Sequence, residues 1–174
     1  MAVSLYVLGR GGAFREIEPR MAGRCEVLPL EASAEDILVD AERGYAYLSY
    51  LDRQGLIAGE DVEGTVMRID LNQRPYTVQP ALESAPTPFR THGLSLHVDA
   101  DGQRHLFVIN HPKKRGEEME QVELFRETEP GRFAHVETFR SPLLNSPNDR
   151  APTGPRQVSV DTANAAGGGV AAAP

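Results

Sequence analysis

Alternation of apolar and polar residues is clearest between positions 91 and 112. Every second residue from Leu94 to Val98 is apolar, which is the period of a half-buried strand. Asp101-Gly102 then predicts a turn, and the apolar run Leu106 to Ile109 follows it. The pattern predicts an antiparallel hairpin.

Both ends of this hairpin carry a histidine. His92 opens the first strand and His111 follows the second, so antiparallel pairing brings the two imidazoles to the same end although they are nineteen positions apart. One neutral imidazole can take a proton from water near neutral pH, and a second can hold the first in its orientation. Two ordinary half-buried histidines are the alternative. Zinc would need a third ligand, and His97, His105 and His135 form no cluster with suitable spacing.

Two sets of β-prone runs, separated by Gly, Asp, Asn and Pro, extend this pattern over most of the chain. The first set comprises Ile37–Val39, Gly44–Tyr50, Gly64–Asp70 and Tyr76–Gln79. The second comprises Leu94–Val98, His105–Ile109, Gln121–Phe125 and Phe133–Phe139. Each set predicts a four-stranded antiparallel meander.

Polar residues recur at the start of each set. Glu35-Asp36 precedes the first, His92 lies 57 positions after Glu35 at the start of the second, and Asn148-Asp149 begins 56 positions later. Repeated four-stranded units, each with a polar side chain before its first strand, are typical of a β-propeller, in which first strands surround a central channel. We therefore expect these side chains to converge on one axis.

The predicted fold class is all-β, with two four-stranded blades and the start of a third, where a propeller needs about four to eight. Residues 1–24 form an N-terminal segment with a possible short helix around Phe14 to Ile17, and residues 25–160 form the partial propeller. Val158 to Val160 is at most one strand. Residues 161–174 are predicted to be a disordered, Ala/Gly-rich tail.

Composition narrows the function. The net charge of −7 and the pI near 5.2 argue against a nucleic-acid partner. The single cysteine, Cys25, excludes an internal disulfide. No apolar run approaches the roughly 18 residues of a membrane span, and the start of the chain shows no secretory signal, so a cytoplasmic location is expected.

The carboxylate and amide oxygens of Glu35, Asp36, Asn148 and Asp149 suit calcium, which takes about six to eight oxygen ligands in irregular geometry. The alternative is that both pairs are turn residues at strand ends. Their shared position in the repeat favours the metal interpretation.

Several motifs occur together in an order that resembles the paraoxonase/arylesterase family. They are Ala34-Glu35-Asp36-Ile37, Gly44-Tyr-Ala-Tyr-Leu-Ser49, His92-Gly93-Leu94-Ser95, Val108-Ile-Asn-His-Pro112, Val122-Glu-Leu-Phe125, Glu137-Thr-Phe-Arg140 with Leu143-Leu144, and Ser146-Pro-Asn-Asp149. The resemblance implies a calcium-dependent six-bladed propeller, related to gluconolactonase-like hydrolases, that hydrolyses small aryl esters or lactones.

The resemblance also implies roles for particular residues. Glu35 and Asn148 resemble ligands of a catalytic calcium, and Asp36, Asp149 and the Leu94 carbonyl resemble ligands of a structural calcium. His92 and His111 resemble a catalytic histidine dyad. The implied mechanism has calcium polarise the ester carbonyl while the dyad assists the attacking water.

The resemblance ends soon after Asp149, and about half of a six-bladed propeller has no counterpart here. A residue like Cys25 has a distant disulfide partner in the family, which would fall in that half. A shifted or truncated reading frame is expected to produce such an abrupt change in the amino-acid sequence. We expect weak or absent activity from this chain and self-association through exposed strand edges. A non-catalytic calcium-binding or assembling fragment, or a degenerate gene product, are the alternatives.

Overall fold

A computed structural model describes residues 6, 10–13, 15–16, 22–23, 25–114, 117–142, 144, 147–154, 157–162 and 169–172. For 147–153, 157–162 and 169–172 it describes the backbone alone. The possible helix around Phe14 to Ile17 falls mainly outside the described residues. Within them, no helix is long and apolar enough to cross a membrane.

Two four-stranded antiparallel sheets make up most of the fold, and in each sheet every strand pairs with its neighbour in the chain. The first sheet contains β1 (Ser33–Asp40), β2 (Tyr45–Leu51), β3 (Thr65–Asp70) and β4 (Val78–Pro80). The second contains β5 (Thr91–Val98), β6 (Arg104–Asn110), β7 (Gln121–Glu129) and β8 (Arg132–Arg140). Both predicted meanders are confirmed, and the chain is all-β as expected.

One short helix interrupts the first sheet. Helix α1 (Arg53–Ile57) lies between β2 and β3, and the Asp52 carboxylate caps it by accepting hydrogen bonds from the backbone N–H groups of Gln54 and Gly55, at 3.1 and 3.0 Å. A five-residue helix has too few turns to show an apolar period, so the sequence pattern did not predict it.

A third antiparallel sheet follows, with β9 (Pro147–Gly154), β10 (Gln157–Thr162) and β11 (Gly169–Ala172) in the order β11-β10-β9. The sequence predicts the start of a third blade here, but at most one strand after it and a disordered tail. Strand β10 contains the predicted run Val158 to Val160, and β11 lies within residues 161–174, the predicted disordered tail. Sheet pairing uses backbone groups, so small residues such as those of β11 can pair without a side-chain signal.

The main apolar core lies between the first and second sheets. Its buried members are Tyr47, Val66, Ala81, Phe89, Leu94, Leu106, Val108, Phe125 and Phe133. The rings of Tyr47 and Phe133 meet edge to face, with centroids 5.4 Å apart. The two sheets are therefore packed face to face like successive blades.

The second sheet is buried on both faces. Phe107 points away from the main core and packs with Val122, Leu124 and Leu144, while its neighbours in β6 point into the main core. This explains why Leu106 to Ile109 is a continuous apolar run rather than an alternating one, since every residue of it is fully buried.

Candidate active site

The first strand of the first sheet contains a β-bulge at the predicted site residues. Ala34 pairs with Tyr50 and Ile37 with Leu48, so three steps along β1 match two along β2. The extra residue lies at Glu35-Asp36. A bulge changes the direction of the side chains it contains and is common beside active sites.

The same irregularity recurs in the second sheet, where it contains His92. Thr91 pairs with Asn110 and Leu94 with Val108, again three steps against two. His92 and Gly93 lie between these pairs. Equivalent residues of the two repeats therefore share a backbone geometry as well as a sequence position.

The backbone of the third sheet repeats the bulge at Asn148. Pro147 pairs with Thr162 and Asp149 with Asp161, which leaves Asn148 without a partner position across the strand pair. The side chains of Asn148 and Asp149 lie outside the described part of the structure, so their predicted convergence with Glu35 stays a prediction. The backbone register supports the repeat alignment on which that prediction depends.

The two histidines of the predicted dyad lie side by side. The ring centroids of His92 and His111 are 4.6 Å apart and the rings are tilted by 55°. His92 sits in the bulge of β5 and His111 directly follows β6, so the hairpin brings them to one end as predicted. Their predicted proximity is confirmed.

A carboxylate and a guanidinium accompany His92. Its Nδ1 contacts Oε2 of Glu35, and Nη2 of Arg53 contacts the same carboxylate oxygen. Arg53 Nη2 also lies 3.3 Å from His92 Nδ1. Glu35 therefore joins an imidazole to a cation at the mouth of the site, where its side chain is about one third exposed.

His111 has a different environment from His92. Its Nδ1 lies 2.6 Å from Oε2 of Glu120, and both side chains are more than nine-tenths buried. Its other ring nitrogen, Nε2, is buried and has no hydrogen-bond partner in the described structure. The second histidine is thus held by a carboxylate on one side and is unsatisfied on the other.

Asp36 joins the first strands of the two sheets. Its Oδ2 accepts a hydrogen bond from the backbone N–H of Leu94 at 2.6 Å, and its own backbone N–H donates to Oγ of Ser49 at 2.9 Å. The Asp36 carboxylate and residue 94, predicted to share one calcium, are therefore adjacent.

These donors fit calcium in type but not in number. Glu35 and Asp36 supply the hard oxygen atoms that calcium prefers, at the start of one strand. Within the described residues, no group of three or more His, Cys, Asp or Glu side chains is placed to hold a metal ion. A complete set of about six to eight oxygen ligands would need donors beyond these.

Sequence reasoning did not single out Arg53 or Glu120. Arg53 starts α1, which has no periodic signal, so nothing in the sequence relates it to Glu35. Glu120 could have been found from strand register, because Asn110 pairs with Gln121 and the next residues outward are His111 and Glu120. To identify Glu120 in this way, the exact residue pairing of β6 with β7 across their connecting loop must be known.

A cavity of about 640 Å³ lies at the opposite end of the sheets, among the turns. Two ion pairs line it, Arg43 with Glu127 at 3.0 Å and Asp99 with His105 at 3.2 Å. It contains none of the predicted site residues. The candidate site therefore remains the histidine pair at the bulged end.

The fold and site define an all-β protein built from two four-stranded antiparallel meanders and a third sheet, with a histidine pair and carboxylates at one end of its strands. A sequence profile named Arylesterase matches residues 22–163. The chain belongs to the arylesterase family.

Three relatives show the extent of the similarity. Serum paraoxonase/lactonase 3 of Homo sapiens is 33% identical over 156 residues, 85% of this chain and 42% of that protein. Serum paraoxonase/arylesterase 2 of Bos taurus is 33% identical over 150 residues, 82% of this chain and 41% of that protein. Serum paraoxonase/lactonase 3 of Rattus norvegicus is 32% identical over 173 residues, 90% of this chain and 47% of that protein. The chain spans less than half the length of these relatives.

Proposed function

We propose that this chain carries the histidine half of a calcium-dependent hydrolase of aryl esters or lactones. The observation that carries the proposal is the contact of the His92 and His111 rings, 4.6 Å between centroids, beside the Glu35 carboxylate. Family membership and the names of the relatives support a small ester or lactone as the substrate.

The dyad acts on water. One imidazole accepts a proton from a water molecule as the water oxygen bonds to the substrate's carbonyl carbon, giving a tetrahedral intermediate. When the ester C–O bond breaks, that proton passes to the leaving oxygen, so both imidazoles end as they began. Contact between the rings allows the second imidazole to orient the first or to relay its proton.

Calcium would be held by Glu35 and Asn148 at one position and by Asp36, Asp149 and the Leu94 carbonyl at a second. Bound there, it would act as a Lewis acid on the substrate carbonyl. Glu35 and Asp36 lie in the bulge of β1, and the Asp36 carboxylate bonds to the N–H of Leu94, which supports their joint use. Because the described donors are too few, we expect the isolated chain to be a weak catalyst.

Hydrolysis of phenyl acetate and of a lactone, measured with and without calcium, tests the proposal. We expect slow, calcium-dependent turnover that the His92→Gln variant loses. His97→Gln is the matched control, because His97 lies on the same strand at its far end, remote from His111. Calcium-independent turnover, or equal loss in both variants, would contradict the proposal.

Assembly is a second candidate function, favoured by one feature of β1. Ile37 and Val39 are 61% and 53% exposed and alternate along β1, so they share one face of the strand. The proposed occupant of this face is a second copy of the chain, because exposed apolar side chains on a β-strand favour pairing with an identical strand. Light scattering should show a dimer or larger species, and the Ile37→Thr, Val39→Thr double variant should be smaller. A monomeric wild-type chain would exclude this.

A further inference from the structure

We propose that Glu120 is the positioning residue of His111: it holds the proton on Nδ1 and so leaves Nε2 as a proton acceptor beside His92. This inference deepens the proposed function and rests on it for its catalytic meaning. Its structural part, the tautomer of His111, can be tested without any activity.

The contact between Glu120 and His111 is short and sheltered from solvent. Glu120 Oε2 and His111 Nδ1 are 2.6 Å apart, and the side chains are 6% and 9% exposed. A hydrogen bond to a charged acceptor is stronger than a neutral one, and burial reduces its screening by water. The ring of His111 therefore has one preferred orientation.

The backbone dictates this pairing. Strands β6 and β7 are antiparallel with Asn110 opposite Gln121, so His111 and Glu120 are the next pair outward. Residues opposite each other in such a pair have neighbouring side chains.

Elementary chemistry then assigns the proton. An ionised carboxylate only accepts hydrogen bonds, and a neutral imidazole has one donor and one acceptor nitrogen. With Nδ1–H donating to Glu120, the lone pair is on Nε2. That atom is buried without a partner in the described structure, so a donor such as a water molecule would satisfy it.

Pairing with a carboxylate does not by itself distinguish His111. His105 lies 3.2 Å from Asp99, and His135 lies 2.9 Å from Glu123, which also accepts from Thr138. Among the described histidines, however, only His111 combines such a pair with a buried and unsatisfied second nitrogen. The pair at Glu123 belongs to a satisfied core network, whereas the pair at Glu120 ends at the dyad.

Two-bond ¹H–¹⁵N NMR of the full chain reads the tautomer directly. The His111→Gln variant assigns the signals. We expect wild-type His111 to be the Nδ1–H tautomer. Glu120→Leu, which removes the acceptor, should lose this preference, and Glu120→Gln, which keeps an amide oxygen, should retain it. Glu118→Leu is the matched control, since Glu118 is exposed on the same loop.

Kinetics separate a positioning role from a structural one. With phenyl acetate as substrate we expect kcat of Glu120→Leu to fall about tenfold or more with KM little changed, Glu120→Gln to lie between it and wild type, and Glu118→Leu to match wild type. The signals of His105 should not move in any variant, which checks that the fold is intact.

The outcomes decide the inference unambiguously. An Nε2–H tautomer in wild-type His111 would overturn the proposed role of Glu120. This NMR measurement uses the wild-type chain, so it does not depend on a variant that could fail to fold. An unchanged tautomer in Glu120→Leu, or a lost tautomer with unchanged kcat, would overturn that role too. If the wild-type chain hydrolyses no ester, the proposed function fails while the NMR result still decides the role of Glu120.

Discussion

Asp40 and Arg104 form a buried ion pair that joins the first sheet to the second. Nε of Arg104 lies 2.6 Å from Oδ2 of Asp40, and the two side chains are 3% and 4% exposed. Burial by itself raises the pKa of Asp40, but hydrogen bonds from Arg104 and the backbone outweigh it, so the pKa lies below its ordinary value. The pair lies at the end of β1 opposite Glu35 and links the two sheets there.

Replacing Asp40 with Asn should destabilise the chain by about 3 kcal/mol at pH 7, because it leaves the buried Arg104 charge with Glu42 as its carboxylate partner. A folded-state pKa below 3.8 means that Asp40 stabilises fully above that pH and loses its contribution as the pH falls through the folded value. The difference in the free energy of unfolding between the variant and wild type should therefore become smaller below about pH 4.

Urea unfolding at pH 7 and at pH 3 measures this difference in the free energy of unfolding. Glu42→Gln is the control, because Glu42 also contacts Arg104, at 2.8 Å, but its side chain is 77% exposed. We expect a change below about 1 kcal/mol for it. Equal effects of the two variants would contradict a dominant role for the buried pair.

Replacing Tyr47 with Phe should stabilise the chain by about 1 kcal/mol. The Tyr47 hydroxyl is buried without a hydrogen-bond partner in the described structure, so removing it removes a desolvation penalty. Burial, with repulsion from Glu127 and Asp40, also raises the pKa of Tyr47. Wild type should therefore lose stability relative to the variant above pH 10.

Tyr50→Phe is the matched control for Tyr47→Phe. The Tyr50 hydroxyl accepts a hydrogen bond from the backbone N–H of Ala32 at 2.9 Å, so its loss should destabilise by about 1 kcal/mol. Thermal unfolding of both variants compares them. If both variants were stabilised or both destabilised, the hydrogen bonding of the tyrosine hydroxyl would not be what determines the effect on stability.

Arg53 should weaken calcium binding at Glu35, since its guanidinium contacts the same carboxylate oxygen that the metal would use. Arg53→Gln should raise the calcium affinity about threefold to tenfold, and Glu35→Gln should lower it, in calorimetric titrations. Arg43→Gln is the control, because Arg43 pairs with Glu127 at the far end of the sheets. Unchanged affinity in Arg53→Gln would contradict competition at Glu35.

Phe107→Ala should lower the free energy of unfolding by about 3–5 kcal/mol. Phe107 is fully buried in the second apolar cluster, so its truncation leaves a cavity. Val136→Ala should lower the free energy of unfolding much less, since Val136 in β8 is 50% exposed. Guanidinium unfolding measures both. Similar costs would show that the outer face of the second sheet is not packed as described.

The strands were predictable because their signal is local. Alternation from Leu94 to Val98, the apolar run of β6 and the turn at Asp101-Gly102 each indicate structure within a few residues, and each strand was found where it was predicted. Helix α1 and strand β11 were not, because a short helix lacks a period and small residues carry no burial pattern.

Only two features of the site were predictable from the sequence: the shared repeat position of its residues and the geometry of the histidine hairpin. Glu35, His92 and Asn148 share a repeat position, and the bulges at all three followed from the structure alone. A bulge depends on one extra residue in the pairing of two strands, which composition and periodicity do not reveal.

The sequence by itself determined the all-β class, the two meanders and the adjacency of His92 and His111, because hydrophobic period and antiparallel topology follow from the order of residues. Its motifs, through their resemblance to known proteins, indicated the family. Only the tertiary structure decided that Glu120 holds His111 and that Arg53 contacts Glu35. The physical reason is that these contacts depend on strand register and on the path of connecting loops, which place side chains to within an ångström and leave no periodic trace in the chain.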